Sequence, residues 1–267
     1  MNPIVVSIAG SDSSAGAGIQ ADLKAITAAG GYGATVLTAI TAQNTQGVQA
    51  AADLDVDLIR AQIAAVFDDL EVAAVKTGML SSAEIVRAVA AELAERRPAH
   101  YVCDPVMISK TGFPLLQDDA VEAVQTVLLP LADLVTPNVH ESERLTGRRV
   151  KTSADAVAAG EQILETGARA VLIKGGHLEA APGLDVLVTA AGAQEFAGDW
   201  VETKHTHGTG CTYSALLATE LAHGHELHDA IRRAKDFLTQ AIAAGWAVGQ
   251  GVGPTNPFFF LTERSAR

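Results

Sequence analysis

Short runs of aliphatic and β-branched residues alternate with helical patterns along most of the 267-residue chain. Ala170–Ile173 is a clear strand, whereas the spacing of Ile19, Leu23 and Ile26 is typical of one face of a helix. Strands that are apolar throughout and alternate with helices predict a mainly parallel central sheet, flanked by helices on both faces. No linker or repeat divides the chain, so we expect one α/β domain over residues 1–267.

Several later elements are predicted with less sharply marked boundaries. A β-rich stretch after the strand that ends at residue 173 predicts a hairpin of Asp185–Ala190 with Glu195–Thr203. Helices are expected over about Thr209–Ala222 and about Asp229–Val248, and an earlier helix is expected to stop at Pro130. Ligands of parallel α/β sheets bind outside the carboxyl ends of the strands, so we expect the site among the polar loops that follow the strands.

The composition narrows the possible partners. Acidic residues exceed basic ones, giving a formal net charge of −12, so neither a nucleic acid nor an acidic membrane is an expected partner. The two cysteines are too few for a disulfide framework and suit a reducing cytoplasm. The first residues lack the basic region of a signal peptide, and no apolar stretch approaches the roughly 18 residues of a membrane span. We therefore expect a soluble, cytoplasmic protein.

The segment His207–Cys211 carries the strongest chemical signal. Gly208 and Gly210 let the backbone turn tightly before an apolar helical stretch, so that N–H groups and the positive end of a helix point to one spot. Such an anion hole suits a migrating phosphoryl group. A cysteine at a helix N-terminus is also expected to have a lowered pKa. The alternative interpretation is a glycine-rich turn that carries an inert, buried cysteine.

Charged residues at the predicted strand ends are further candidates. Lys174 follows the strand Ala170–Ile173 and could extend to a phosphate as a point charge. Asp104 and Glu141 could hold a magnesium ion beside a polyphosphate, because Mg²⁺ binds through one or two carboxylates, waters and phosphate oxygens. On spacing alone, a solvated strand end and ordinary surface carboxylates remain the alternatives.

Seven segments of the chain form an ordered set of motifs. They are Ala9–Lys24, Ala42–Thr45, Lys76–Leu80, Asp104–Met107, Asn138–Glu141, Lys174–His177 and Gly208–Cys211. This set resembles the ribokinase-like superfamily and, within it, the hydroxymethylpyrimidine/phosphomethylpyrimidine kinases of thiamine biosynthesis. Each motif is weak by itself, but the ordered set is specific and the resemblance runs from about Ile4 to Gly253. It implies a ribokinase-like fold, ATP and Mg²⁺ at the site, and commonly a homodimer.

For the late loop, the resemblance implies that Cys211 faces the substrate hydroxyl, where most related sugar kinases have an aspartate acting as general base. The backbone N–H groups of Gly208, Thr209 and Gly210 would then stabilise the transferring phosphoryl group. A loose phosphoryl-transfer transition state needs positioning and neutralised charge more than strong deprotonation of the nucleophile. A cysteine is therefore compatible with the chemistry, either as a thiolate base or as a residue that only faces the hydroxyl.

For the nucleotide, the resemblance associates Lys174 with the phosphates of ATP. It makes Asp104 and Glu141 the metal ligands, directly or through water. Asn138 would orient a phosphate or the hydration shell of the same metal ion. Together these residues would bind the magnesium complex of ATP.

On the substrate side, Gln43 offers a donor and an acceptor on one amide, which match an amino group beside a ring nitrogen. Gly10 permits a ligand to approach the backbone closely, and the resemblance places Asp22 near the substrate hydroxyl or ring. Met79 and Val106 could pack on the ring faces, with plain core packing as the alternative for both.

The resemblance implies ATP-dependent phosphorylation of 4-amino-5-hydroxymethyl-2-methylpyrimidine and then of its monophosphate. A pyridoxal or pyridoxine kinase of the same superfamily is the nearest alternative, since both substrates are heteroaromatic rings with a hydroxymethyl group. A non-catalytic nucleotide or metabolite sensor is an alternative of another class. Two residues depart from the family pattern: Ala15 in the first loop, and Phe113 in the segment Lys110–Pro114, which is expected to close over the site.

Overall fold

A nine-stranded sheet forms the centre of the computed structural model, which describes residues 2–109 and 112–262. The strands are β1 (Ile4–Asp12), β2 (Tyr32–Asn44), β3 (Gly47–Asp53), β4 (Val72–Thr77), β5 (His100–Cys103), β6 (Leu134–Val135), β7 (Ala170–Ile173), β8 (Asp185–Thr189) and β9 (Gly192–Phe196). Their order across the sheet is β3-β2-β1-β4-β5-β6-β7-β8-β9. The strands from β2 to β7 in this order pair in parallel, and antiparallel strands extend the sheet at both ends. The predicted α/β class with a mainly parallel sheet is confirmed.

Helices connect the strands and cover the sheet. They are α1 (Gly18–Ala28), α2 (Val56–Phe67), α3 (Ala83–Arg96), α4 (Asp118–Ala123), α5 (Val139–Thr146), α6 (Ser153–Leu164), α7 (Thr209–Ala222), α8 (Leu227–Ala243) and α9 (Phe259–Thr262). A wider π-helical turn covers Val124–Leu128, and 3-10 turns cover Leu129–Leu131 and Gly175–His177. Within the described part of the chain, every helix is too short or too polar to cross a bilayer.

The sheet buries both of its faces. Successive side chains of a strand point to opposite faces, and neighbouring residues of β1 accordingly enter different cores. Val5 packs in the core that contains Ile26 of α1 and Leu216 of α7. Val6 packs in the core that contains residues of α2 and α3, among them Val86. Each fully buried aliphatic side chain stabilises the fold by about 1.5–3 kcal/mol relative to its exposed state, which explains why the strands are apolar on both sides.

The connections on the two sides of β1 place a crevice at its carboxyl end. Helix α1, which links β1 to β2, packs on one face of the sheet, while α2, which leads to β4, packs on the other. β1 lies between β2 and β4, so the chain reverses its direction of winding there. Ligands of open α/β sheets bind at such a point.

The predicted hairpin is correct in its first strand and wrong in its second. The second strand is Gly192–Phe196, not Glu195–Thr203. The turn between the strands is tight, so that Thr189 pairs directly with Gly192, whose φ is 126°. Residues from 197 onward leave the sheet and form part of the cavity wall described below.

Two helix ends and one strand also differ from the prediction. Helix α8 ends at Ala243 rather than near Val248, because the chain turns at Gly245, whose N–H donates to the carbonyl of Ile242 at 3.0 Å. Pro130 does not stop the earlier helix, because the helical turns continue from α4 through the π-helical turn into the 3-10 turn. Pro130 lies in the first residues of that 3-10 turn, where its missing N–H costs no hydrogen bond. The strand β3 was not predicted, since its alanine-rich, mostly exposed residues carry no apolar alternation.

Candidate active site

A cavity of about 680 Å³ opens at the carboxyl edge of the sheet. This size is in the usual range for a small-molecule site. It gathers residues from the ends of the parallel strands and from the start of α7. All but one of the site residues predicted from the sequence line it: Gly10, Gln43, Met79, Asp104, Val106, Asn138, Glu141, Lys174, Gly208, Thr209, Gly210 and Cys211. The exception is Asp22.

The first turn of α7 forms one wall of this cavity. Gly208 is its N-cap with a φ of 74°, and a Cβ at this position would overlap the carbonyl oxygen of Gly16. Only glycine therefore allows the loop before α1 to lie against the start of α7. A Cβ on Gly210 would lie 3.3 Å from Nζ of Lys174. The N–H groups of the first helical turn, which have no intrahelical acceptors, thus lie beside an ammonium group.

Lys174 is held at the end of β7 by acidic groups. Its Nζ lies 2.7 Å from Oδ1 of Asp104 and 3.9 Å from Oε2 of Glu141. Ser214 of α7 donates to the other oxygen of Asp104 at 3.0 Å. Although burial opposes its charge, Asp104 has a pKa below the usual value, because Lys174 and Lys76 stabilise the carboxylate. Asp104 therefore fixes the ammonium of Lys174 next to the helix start.

Glu141 belongs to the capping box of α5. Its carboxylate accepts from the backbone N–H of Asn138 at 2.8 Å, and Asn138 Oδ1 accepts from the N–H of Glu141 at 2.9 Å. Burial, with Asp104 acting in the same direction and Lys174 against it, raises the pKa of Glu141 to about 7. This carboxyl group is thus poised to lose its proton when positive charge enters the cavity.

The donor set fits a metal ion that is shared with a ligand. Among the described residues, no group of three or more His, Cys, Asp or Glu side chains could enclose a metal ion. Asp104 and Glu141 both line the cavity and both face Lys174. Two carboxylates are what Mg²⁺ takes from a protein when phosphate oxygens and waters complete its coordination.

Cys211 is half-buried in the first turn of α7. Burial raises the pKa of its thiol to about 11, and the carboxylates of Asp22 and Asp104 act in the same direction, against the charge of Lys76. The lowered pKa predicted from the helix N-terminus is therefore wrong. Desolvation and nearby carboxylates outweigh the helix end, and the thiol is protonated at neutral pH.

Asp22 lies beneath the cavity and is fully buried. It accepts a hydrogen bond from Ser7 at 2.6 Å and forms an ion pair with Lys76 at 2.8 Å. Lys76 lines the cavity, and Asp22 does not. The prediction that Asp22 lies beside the substrate is corrected accordingly, because its carboxylate binds Lys76 and Ser7 instead. Asp22 can affect a ligand only by positioning Lys76.

The substrate-side residues lie close to the end of β1. A Cβ on Gly10 would lie 2.9 Å from Sδ of Met79, so glycine lets the thioether pack against the strand. Met79 is held through its carbonyl, which accepts from the hydroxyl of Thr38 at 2.8 Å. Val106 and Gln43 are half-buried and line the same cavity. These side chains offer an apolar floor and one amide.

Sequence reasoning missed a cluster at the far side of the cavity. Lys235 of α8 forms an ion pair with Asp185 at 2.6 Å, and the hydroxyl of Tyr213 donates to the same carboxylate at 2.9 Å. Asp185 also accepts from the backbone N–H of Gly175 at 2.8 Å, directly after Lys174. The sequence did contain an indication of this cluster: Lys235 lies beside Ala234 in the apolar face of an amphipathic helix. A lysine that is buried in this way is normally paired with an acidic residue.

The sequence profile of the family described as "Phosphomethylpyrimidine kinase" matches residues 12–256 of this chain. The chain belongs to that family. It is thus a kinase, an enzyme that transfers a phosphoryl group from ATP. The chain is 48% identical to the hydroxymethylpyrimidine/phosphomethylpyrimidine kinase of Streptomyces coelicolor, over 98% of this chain and 96% of that protein. It is 47% identical to the thiamine biosynthesis bifunctional protein ThiED of Geobacter sulfurreducens, over 94% of this chain but about half (51%) of that longer protein.

The solved structures that resemble this chain include both a phosphomethylpyrimidine kinase and a pyridoxal kinase. A phosphomethylpyrimidine kinase from Clostridium difficile is 44% identical, with a TM-score of 0.81 over 90% of this chain and 100% of that chain. The pyridoxal kinase of Bacillus subtilis, solved as an ADP complex, is 39% identical, with a TM-score of 0.91 over 98% of this chain and 99% of that chain. The ribokinase-like fold expected from the sequence is thereby confirmed.

The two departures from the family pattern have different structural settings. Ala15 has a φ of 61°, in the left-handed region that favours glycine, so its backbone conformation costs roughly 1 kcal/mol. Phe113 is half-buried and closes a turn with Ser109: the N–H of Ser109 donates to the carbonyl of Phe113 at 2.8 Å, and the N–H of Phe113 donates to the Ser109 hydroxyl at 2.9 Å. Lys110 and Thr111, part of the segment expected to close over the site, lie outside the described residues.

Proposed function

We propose that this member of the phosphomethylpyrimidine kinase family transfers the γ-phosphoryl group of ATP to 4-amino-5-hydroxymethyl-2-methylpyrimidine, and then phosphorylates the monophosphate to the diphosphate used for thiamine. The observation that carries the proposal is the convergence of Lys174, the first turn of α7 and Cys211 in one cavity. The names of the relatives of similar length support this choice of substrate.

The anion hole at the start of α7 supplies the main stabilisation of the migrating phosphoryl group. Its backbone N–H groups and the ammonium of Lys174 neutralise negative charge that builds up in the transition state. Asp104 holds Lys174 in place at 2.7 Å. Because these groups are fixed before the substrate binds, little reorganisation is needed during the reaction.

Cys211 acts as a protonated thiol that faces the substrate hydroxyl. With a pKa of about 11, it is not a thiolate in the resting enzyme. The first transfer therefore relies on positioning and on neutralised phosphoryl charge, which a loose transition state chiefly requires. In the second transfer the nucleophile is already an anionic phosphate and needs no base. The absence of an aspartate at position 211 is consistent with both steps.

Mg²⁺ is the metal ion that this site suits. Asp104 and Glu141 would hold it, with Asn138 orienting a phosphate or its hydration shell. When bound, the ion would neutralise charge on the phosphate oxygens of ATP. On the opposite side, Gln43 would bind the edge of the ring, and Gly10, Met79 and Val106 would pack against it, while Asp22 acts only through Lys76.

The second candidate is a pyridoxal kinase, which the structural similarity to the Bacillus subtilis enzyme favours. The deciding experiment measures ADP release by the full chain with the hydroxymethylpyrimidine, its monophosphate and pyridoxal as separate substrates. We expect kcat/KM for both pyrimidines to exceed that for pyridoxal. Faster turnover of pyridoxal would overturn the choice of substrate. Binding of ATP without release of ADP on any of the three would instead identify a sensor.

The assembly and location of the protein are part of the same proposal. We infer a homodimer from the family resemblance, which sedimentation velocity at micromolar concentration tests directly. The two cysteines, Cys103 and Cys211, are both free thiols, which suits a reducing compartment such as the cytoplasm.

A further inference from the structure

The amide of Gln43 lies between two polar neighbours at the cavity wall. Its Nε2 is 3.3 Å from Nε2 of His207, and its Oε1 is 3.1 Å from the hydroxyl oxygen of Thr41. His207 and Thr41 are buried, with exposed fractions of 8% and 4%. Nitrogen and oxygen of an amide have nearly the same shape, so the hydrogen bonds of these neighbours decide which atom faces which.

His207 is held by the carboxylate of Asp12, whose Oδ2 lies 2.9 Å from Nε2 of the ring. Asp12 also accepts from the backbone N–H groups of Ser14, Gly16 and Ala17, at 2.8, 3.1 and 2.8 Å, and from the Ser14 hydroxyl at 2.8 Å. Burial opposes ionisation, but the hydrogen bonds from His207 and Ser14 hold the pKa of Asp12 below its usual value. An ionised carboxylate only accepts, so Nε2 of His207 carries a hydrogen.

The hydroxyl of Thr41 has its own assigned partner. It lies 2.9 Å from the carbonyl oxygen of Ser11, which can only accept. A hydroxyl has one hydrogen, and this bond uses it. The hydroxyl oxygen of Thr41 therefore faces Gln43 as an acceptor.

Both neighbours thus require the amide in one orientation. With its nitrogen toward His207, the amide would place donor against donor there and acceptor against acceptor at Thr41. A half-turn about the last side-chain bond of Gln43 exchanges the two atoms and removes both conflicts. The amide nitrogen then donates to Thr41. The single Nε2–H of His207 is shared: its shorter hydrogen bond goes to Asp12 at 2.9 Å, and the amide oxygen, in the position 3.3 Å away, accepts its longer branch.

We propose that Asp12 and His207 lock the amide of Gln43 in this orientation and thereby select an aminopyrimidine over a pyridine aldehyde. The inference rests on the proposed function, in which Gln43 binds the ring edge. The locked amide keeps one oxygen lone pair and one N–H for the ligand. These match an exocyclic amine, which donates, beside a ring nitrogen, which accepts.

The direction of the lock agrees with the position of the reacting group. His207 directly precedes the Gly208–Cys211 loop, and the oxygen of the locked amide lies on the His207 side. In the pyrimidine, the amine is the ring substituent next to the hydroxymethyl group. Pyridoxal carries an aldehyde oxygen at this place, which would meet the fixed amide oxygen as a second acceptor. His207 is therefore a positioning residue that acts through Gln43.

The test compares kcat/KM of the full chain for three compounds: the hydroxymethylpyrimidine, its analogue without the amine, and pyridoxal. We expect the wild type to prefer the aminated pyrimidine over both others by at least about tenfold, the effect of one unmatched hydrogen-bonding site. His207→Leu should reduce both preferences to less than about threefold. Each preference is a ratio within one enzyme, so a general loss of activity in the variant does not change it.

Two further variants show whether the effect passes through Gln43. Thr41→Val removes the second neighbour and should also weaken the preference. In a Gln43→Ala background, His207→Leu should leave the remaining preference unchanged. An active wild type whose preference survives His207→Leu would overturn the inference, whereas a wild type inactive on every compound would overturn the proposed function instead. Neutron diffraction from perdeuterated crystals tests the lock itself: deuterium on the amide atom facing Thr41 supports it, and deuterium facing His207 refutes it.

Discussion

Cys211 illustrates how one residue depends on groups distant in the sequence. A helix N-terminus alone lowers the pKa of a thiol. Here burial, together with Asp22 and Asp104, raises it to about 11. Asp22 and Asp104 come from other segments of the chain, and no local pattern around Cys211 indicates their presence.

The pH dependence of alkylation measures this effect. We expect the rate of reaction of Cys211 with iodoacetamide to rise about tenfold per pH unit up to pH ~10, because only the thiolate reacts. Mass spectrometry locates the label. Cys211→Ser is the control, since Cys103 is fully buried and should stay unlabelled. A plateau in the rate between pH ~7 and ~8 would contradict the raised pKa.

Glu141 makes a second residue-scale prediction, for stability against pH. Its pKa in the folded protein is about 7, above the usual value of 4.5, so the folded state holds an extra proton between these values. Its contribution to stability is therefore present at low pH and is lost as pH rises from 4.5 to about 7. The loss amounts to about 3 kcal/mol at neutral pH.

Glu141→Gln isolates that contribution, because the neutral amide can still accept from the N–H of Asn138. We expect the free energy of unfolding of the variant, relative to wild type, to rise by about 3 kcal/mol between pH 4.5 and 7 in urea titrations. If the two proteins keep a constant difference across this window, the pKa of Glu141 is not raised.

At the scale of elements, α5 and α6 begin with the same device. Asn138 caps α5 and Thr152 caps α6, each in a full capping box with an acidic residue three positions later. Only Asn138 lines the cavity. Comparing these two caps therefore distinguishes the contribution of a helix cap to stability from its contribution to ligand binding.

Alanine at each cap should lower the free energy of unfolding by about 1 kcal/mol. Only Asn138→Ala should also raise KM for ATP, by roughly threefold to tenfold, the effect of one lost hydrogen bond. Chemical unfolding and steady-state kinetics give the two quantities. An equal change of KM in Thr152→Ala would mean that the effect comes from helix stability and not from ligand contact.

At the scale of the whole molecule, Asp185 joins parts of the chain that are far apart in sequence. It accepts from Gly175 after β7, from Tyr213 of α7 and from Lys235 of α8. Lys235 also donates to the carbonyl of Gly183 at 2.7 Å. This cluster holds the turn that carries Lys174 against the two helices that close the far side of the cavity.

Lys235→Met should lower the free energy of unfolding by about 3–5 kcal/mol, because it leaves the carboxylate of Asp185 buried without a counter-charge. The double variant Lys235→Met/Asp185→Asn should recover most of this loss. Urea unfolding of both variants provides the comparison. A single variant as stable as wild type would show that the ion pair does not hold this corner of the fold.

Sequence alone predicted the α/β class, the parallel sheet and the position of the site at the strand ends. It could do so because strands such as β7 are apolar throughout and are followed at once by polar or glycine residues. It did not predict β3, whose exposed alanines carry no periodic signal, nor the register of β9, which depends on a tight turn. Local patterns record burial and turn chemistry, but not pairing between segments.

The candidate site divides in the same way. The loop with Gly208 was a candidate from residue type and spacing. For Lys174 and the acids Asp104 and Glu141, spacing left the alternatives open, and the family resemblance supplied the predicted roles. The burial of Asp22 beneath Lys76, the raised pKa of the Cys211 thiol and the polar neighbours of the Gln43 amide were shown only by the tertiary structure. The physical reason is that a charge, a pKa and a hydrogen-bond direction depend on the groups that folding brings within a few ångströms, whatever their separation along the chain.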